Sequence, residues 1–138
     1  MITSRTRRKR DPATTLQHIV TTALDDMKAS NVKVLDVRGL TDIADTLIIA
    51  SGTSDRHVRS IAERVVEQVK AAGLRPYGIE GARDGEWVLV DLNDVIVHVM
   101  LPRVREFYGL ERLWEAPAAQ QASVAGAARR PSRRRTPQ

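Results

Sequence analysis

Residues 87–114, WVLVDLNDVIVHVMLPRVREFYGLERLW, decide how this chain folds. The stretch reads as a two-stranded hairpin turning at Asn93-Asp94, followed by a short amphipathic helix. Asn and Asp tolerate the left-handed backbone that a two-residue hairpin turn needs. A turn there sets Leu92 against Val95, Val90 against Val97 and Val88 against Val99, so one face is wholly aliphatic. The other face pairs Trp87 with Met100, Leu89 with His98 and Asp91 with Ile96. The first face is a core. The second is too apolar for solvent and too polar for a simple core. It suits either the following helix folded over it or a protein partner.

Upstream, the pattern supplies two helices and three more strands. A helix starts at Asp11 or Thr14: Asp11 can cap with Pro12 at the first helical position, and Thr14 with Gln17 has capping-box spacing. Leu16, Ile19, Val20, Ala23, Leu24 and Met27 then recur on one helical face, with His18 opposite. Residues 32–37 (VKVLDV) form a first strand. The near-continuous apolar run 46–51 (TLIIAS) fits a strand buried on both faces. In a second helix Val58, Ile61, Ala62, Val65, Val66, Val69 and Ala72 make an apolar stripe, which Gly73 stops and Pro76 keeps from resuming. A short strand at 78–80 precedes the hairpin. The short link between the first two strands implies an antiparallel pair, and residues 46–80 are long enough for a parallel crossover. The fold class is a single α/β domain: a mixed five-stranded sheet with amphipathic helices.

Charge divides the chain into three parts. Residues 1–10 hold five basic side chains and no acid, and so do residues 118–138. The tails therefore carry +10, while the body, residues 11–117, has 12 Lys and Arg against 17 Asp and Glu. Such tails cannot bury enough apolar surface to offset their ordering entropy, so disorder is expected of both. They suit a polyanion, bound through counterion release regardless of sequence, or act as solubilising charge alone. The absence of cysteine excludes disulfides and thiolate chemistry. No apolar run reaches the length of a membrane span, and the basic N-terminus lacks the apolar segment of a secretory signal. A cytoplasmic protein is expected.

Catalytic constellations are sparse. Ser51-Gly52-Thr53-Ser54 lies between a buried strand and a helix, where backbone N–H groups can hold phosphate, but its spacing matches no P-loop or dinucleotide pattern. Thr53 or Ser54 is needed as the helix cap in any case. A metal-dependent nucleotidyltransferase would need carboxylates near Ser54, with Asp45, Asp36 or Asp91 as candidates. His18, His57 and His98 lie on different elements without metal-ligand spacing. His57 is expected to face solvent, and His98 is either a satisfied core histidine or an interface donor. No nucleophile–base set appears, so neither a catalytic residue, a metal nor a cofactor is assigned. Both tryptophans, the only phenylalanine and one of two tyrosines fall within 87–114. Trp, Tyr and Arg dominate interface hot spots, because they bury large rigid area and keep a polar handle.

Three segments closely resemble the ribosomal silencing factor family (RsfS, the Iojap- and YbeB-like proteins). They are DTLII (45–49) running into GTSDRHV (52–58), Gly81 with WVLVDL (87–92), and DVIVHVM (94–100). REFYGLERLW (105–114) is similar to the family's closing motif. The match spans about residues 14–115 in the right order and leaves out the tails. It implies a nucleotidyltransferase-like fold without catalytic role, and a non-enzymatic repressor of translation under nutrient limitation. That repressor binds the large ribosomal subunit through its fourteenth protein and sterically blocks joining of the small subunit. Homodimers of the free protein are also implied. The family's partner-binding positions fall on Trp87, Met100, Tyr108 and Leu110, with Leu89, His98, Phe107 and Leu113 beside them. Phe107 stands where aliphatic residues are usual.

Overall fold

The hairpin has the register that its alternation dictates: Trp87 opposite Met100, Val88 opposite Val99, Leu89 opposite His98, Val90 opposite Val97 and Asp91 opposite Ile96. Its turn is tighter than a symmetrical two-residue loop. Asn93 alone takes a left-handed backbone, at φ +74°, and the Asp94 N–H donates to Leu92 O at 3.0 Å, the signature of a γ-turn. The Asp91 carboxylate accepts from the Asn93 N–H at 2.9 Å and steadies that conformation.

The computed structural model describes residues 12–115. Both basic tails and the capping role considered for Asp11 lie outside them. The elements are α1 (Pro12–Asp26), β1 (Ser30–Asp36), β2 (Thr46–Ser51), α2 (Asp55–Ala71), β3 (Gly78–Glu80), β4 (Trp87–Asp91), β5 (Val95–Met100), α3 (Pro102–Tyr108) and α4 (Leu110–Glu115). Because α1 already begins at Pro12, Thr14 is not its cap. The strands form one mixed sheet in the order β1-β2-β5-β4-β3. β1 runs antiparallel to β2, β2 parallel to β5, and β4 antiparallel to both β5 and β3. The parallel neighbour of β2 is therefore β5. The α2 crossover carries the chain past two strand positions to the far edge.

Helix boundaries follow local chemistry. Ser54 has extended backbone, and its hydroxyl accepts from the His57 N–H at 3.1 Å, capping α2. At the other end Gly73 takes φ +83°. Its N–H reaches Lys70 O while the Leu74 N–H reaches Val69 O, a Schellman closure in which a left-handed glycine satisfies the last carbonyls.

One side of the sheet holds the main core. Val88, Val90, Leu92, Val95, Val97 and Val99 from the hairpin meet Ile48 and Ala50 of β2 there. Leu16, Val20, Ala23 and Leu24 of α1 and Val58, Ile61, Ala62, Val65 and Val69 of α2 complete it. Of the α2 stripe, Val66 is half-buried and Ala72 is exposed at the helix end. The opposite side is also covered. Leu47, Ile49, Ile96 and Met100 pack with Val37, Ala44 and Val104 beneath α3 and α4. β1 lies at the edge beyond the helices, which leaves Val32 and Val34 exposed.

Ile48 is fully buried and central, whereas Val34 opposite it is open to solvent. Ile48→Ala should lower unfolding free energy by about 2–5 kcal/mol, and Val34→Ala by less than about 1 kcal/mol. Urea titration of the two variants checks that contrast.

Candidate functional site

The second face of the hairpin divides into a buried half and an open half. Met100 is fully buried, and Ile96 and His98 nearly so. Trp87 and Leu89 are half-buried and pack on the second core. Of the residues that the family resemblance marks, Met100 and His98 thus lie under the surface and not on it. Phe107 and Tyr108 lie on it, 78% and 59% exposed. Leu110 and Leu113 are intermediate.

The aromatic side chains form a connected set. The Trp87 indole N–H donates to His98 Nδ1 at 2.9 Å. An imidazole that accepts at Nδ1 is neutral and carries its proton on Nε2. Burial agrees with this, lowering the His98 pKa from 6.5 to about 4. The Trp87 and Tyr108 rings lie 5.0 Å apart and tilted, and Phe107 meets Tyr108 edge-on at 4.9 Å. An open groove of about 510 Å³ runs beside them, bounded by Gly81, Asp84, Glu86 and Arg103. Arg103 reaches Glu86 at 3.4 Å across exposed surface. Gly81 has φ +86° and lies so close to Trp87 that an added Cβ would sit 2.0 Å from the Trp87 carbonyl oxygen. Glycine is required there to bring the groove wall against β4.

Beneath the aromatic surface lies a cluster that the sequence reading did not find. Arg105 is buried at 8% exposure. Its Nε and Nη2 donate to the two Glu111 carboxylate oxygens at 2.8 and 3.1 Å, and its Nη1 donates to Ser51 Oγ at 2.9 Å. The hydrogen bonds from Arg105 hold the Glu111 carboxyl below the usual carboxylate range. One sequence hint existed: Ser51 is a polar residue closing a strand that is otherwise nearly all apolar.

His57 does not face solvent. Its Nδ1 accepts from the Thr53 N–H at 2.9 Å, and its Nε2 lies 2.8 Å from Met27 O. The ring is half-buried and ties the start of α2 to the end of α1. His18 is exposed on α1. The carboxylates weighed for nucleotidyl transfer serve local structure. Asp91 accepts from the turn, Asp36 accepts from the Arg38 N–H, and Asp45 lies 3.8 Å from Arg38. Ser54 is the helix cap. Among the described residues, no three His, Asp or Glu side chains are grouped to hold a metal ion. No helix among them is long and apolar enough to cross a membrane.

The sequence pattern of the family described as "Ribosomal silencing factor during starvation" matches residues 10–138. The chain belongs to the ribosomal silencing factor family. It is 47% identical over 92 residues to the ribosomal silencing factor of Chromobacterium violaceum, covering 67% of this chain and 75% of that protein. A crystal structure of a protein from the same organism superposes with a TM-score of 0.75 at 40% identity, covering 78% of this chain and 89% of that one. The mouse mitochondrial assembly of ribosomal large subunit protein 1 is 37% identical over 89 residues, covering 62% of this chain and 39% of its own length. The family description places the chain among factors that silence ribosomes during starvation, a regulatory role in translation.

The buried neutral His98 gives the fold a defined acid sensitivity. Between pH 6.5, where a free histidine gains its proton, and about 4, where the buried one does, the unfolded chain binds more protons than the folded one. Stability therefore falls as pH falls through that window, by roughly 3 kcal/mol at full span. His98→Gln should flatten this part of the stability–pH profile, as measured by denaturant unfolding at pH 7, 6, 5 and 4.

Proposed function

We propose that this ribosomal silencing factor binds the large ribosomal subunit through its fourteenth protein and acts by occlusion, keeping the small subunit from joining when nutrients are short. The observation that carries this reading is the aromatic corner in which exposed Phe107 and Tyr108 meet half-buried Trp87 beside an open groove. Large exposed aromatics cost the free protein solvation and contribute to its folding only weakly. Aromatic clusters of this kind are the usual anchors of protein interfaces. Leu89, Leu110 and Leu113 extend the same surface as half-buried contacts. Met100 and His98 act from below, as the packed floor and as the hydrogen-bond acceptor that orients Trp87.

A steric mechanism needs no transition-state stabilisation, so the non-enzymatic reading asks only for a rigid, complementary surface. The mouse relative's name, which refers to assembly of the ribosomal large subunit, supports the choice of subunit. In the free protein the same corner would seat a second copy of the chain, and that homodimer would compete with the ribosome. The basic tails, outside the described residues, would add non-specific contact with ribosomal RNA.

Co-sedimentation with isolated large subunits tests the assignment. Trp87→Ala should weaken binding by about 2–4 kcal/mol while leaving the far-ultraviolet spectrum unchanged. Full retention of large subunits by that folded variant would remove the proposed surface. Deletion of residues 1–10 and 118–138 should lower affinity chiefly at low salt and flatten the salt dependence of binding. An unaltered slope would show that the tails do not touch RNA.

A further inference from the structure

Phe107 and Tyr108 are mostly exposed, so their own burial does little to fix where they point. Both sit on α3, which spans seven residues and is followed by the six-residue α4, each far short of the roughly 12–15 residues an isolated helix needs in water. Their pose is set from beneath. Part of that support is apolar and non-directional: Val104, Leu110 and Trp114 rest on the second core. The other part is the Arg105 guanidinium, which reaches Glu111 on α4 and Ser51 at the end of β2.

The three groups come from three places in the chain. Ser51 lies 54 residues before Arg105, and Glu111 lies six residues after it, beyond the left-handed turn at Gly109. A buried ion pair is a weak stabiliser, because desolvation offsets most of the attraction and an apolar pair of similar volume often stabilises as well or better. It does supply direction. A planar guanidinium with a bidentate carboxylate on one side and a hydroxyl on another fixes the angle between the elements that hold them. Arg105 is two residues from Phe107 and three from Tyr108, so that angle sets how the aromatic corner faces outward.

We propose that Arg105, held between Ser51 and Glu111, is a positioning residue for ribosome docking: it sets the angle between α3 and α4 and so presents Tyr108 against Trp87, with Phe107 against Tyr108. This inference rests on the docking surface proposed above. The Arg105 side chain makes no contact with the partner. Its contribution is pre-organisation of the surface that does.

The decisive variant is Arg105→Met/Glu111→Leu in the full-length chain, which exchanges the ion pair for apolar groups of similar size. Its melting temperature should stay close to the parent's, whereas its dissociation constant for isolated large subunits should rise by about tenfold or more, mostly through faster release. The chain has two tryptophans, so 5-fluorotryptophan labelling gives two fluorine resonances. The Trp87 signal, assigned with Trp87→Phe, should shift or broaden as Tyr108 loosens over it. Native affinity in the folded double variant overturns the proposal. If that variant does not fold, Ser51→Ala decides: an affinity loss of about threefold or more, measured where the variant is fully folded, supports the proposal, and native affinity overturns it. Trp87→Ala in the same assay separates the two readings. Should it bind normally, the docking surface itself is wrong; should it alone lose binding, only the positioning role falls.

Discussion

Everything in this structure depends on the pleat of the β4–β5 hairpin staying in register. Side chains alternate faces along a strand, so a slip of one residue would turn the three aliphatic side chains of the shifted arm away from α1 and α2. The same register makes Trp87 and His98 diagonal neighbours on the other face. Their hydrogen bond then orients the indole and fixes the tautomer of the imidazole. Core, second core and aromatic surface are thus set by one choice of pairing. That choice is made at Asn93, where a polar side chain tolerates a left-handed backbone.

The parts legible in the sequence were those with a period. Alternation gave the hairpin register, and helical spacing gave the buried faces of α1 and α2. The unbroken apolar run at 46–51 marked a strand buried on both faces, as β2 is. Topology was harder to read. Residues 46–80 are long enough for a parallel crossover, but length does not say how many strand positions the crossover skips. β5 takes the place beside β2 because its sequence, apolar but for His98, is the one fit for burial on both faces, whereas the three-residue β3 suits an edge.

The parts that were not legible involve partners without a periodic signature. His57 looked solvent-facing because its neighbours Arg56 and Arg59 are charged, yet its ring reaches a backbone carbonyl 30 residues earlier. Backbone acceptors leave no mark in sequence. Arg105 and Glu111 stand in a charged segment, and nothing in its pattern marks them as a buried pair. A six-residue spacing is not a helical neighbour distance, and it becomes a contact where left-handed Gly109 ends α3 and redirects the chain into α4. The second hairpin face, open between core and interface, turned out to be layered. Met100 and Ile96 form the floor, Trp87 the boundary, and Phe107 and Tyr108 the outer surface.

The strand order also constrains how the molecule can be made. β5 is the last strand in the sequence and the middle strand of the sheet. Until residue 100 has emerged, β2 has no parallel neighbour, β4 has no hairpin partner, and the main core lacks Val95, Val97 and Val99. Assembly from the N-terminus therefore cannot proceed strand by strand. It waits for nearly the whole domain and then closes around its final piece, as expected where long-range pairings dominate. A chain interrupted before that point would leave the apolar edge of β2 uncovered, open to pairing with other unfinished chains. The floor of the aromatic surface belongs to that same last strand, so an unfinished copy could not present the surface at all.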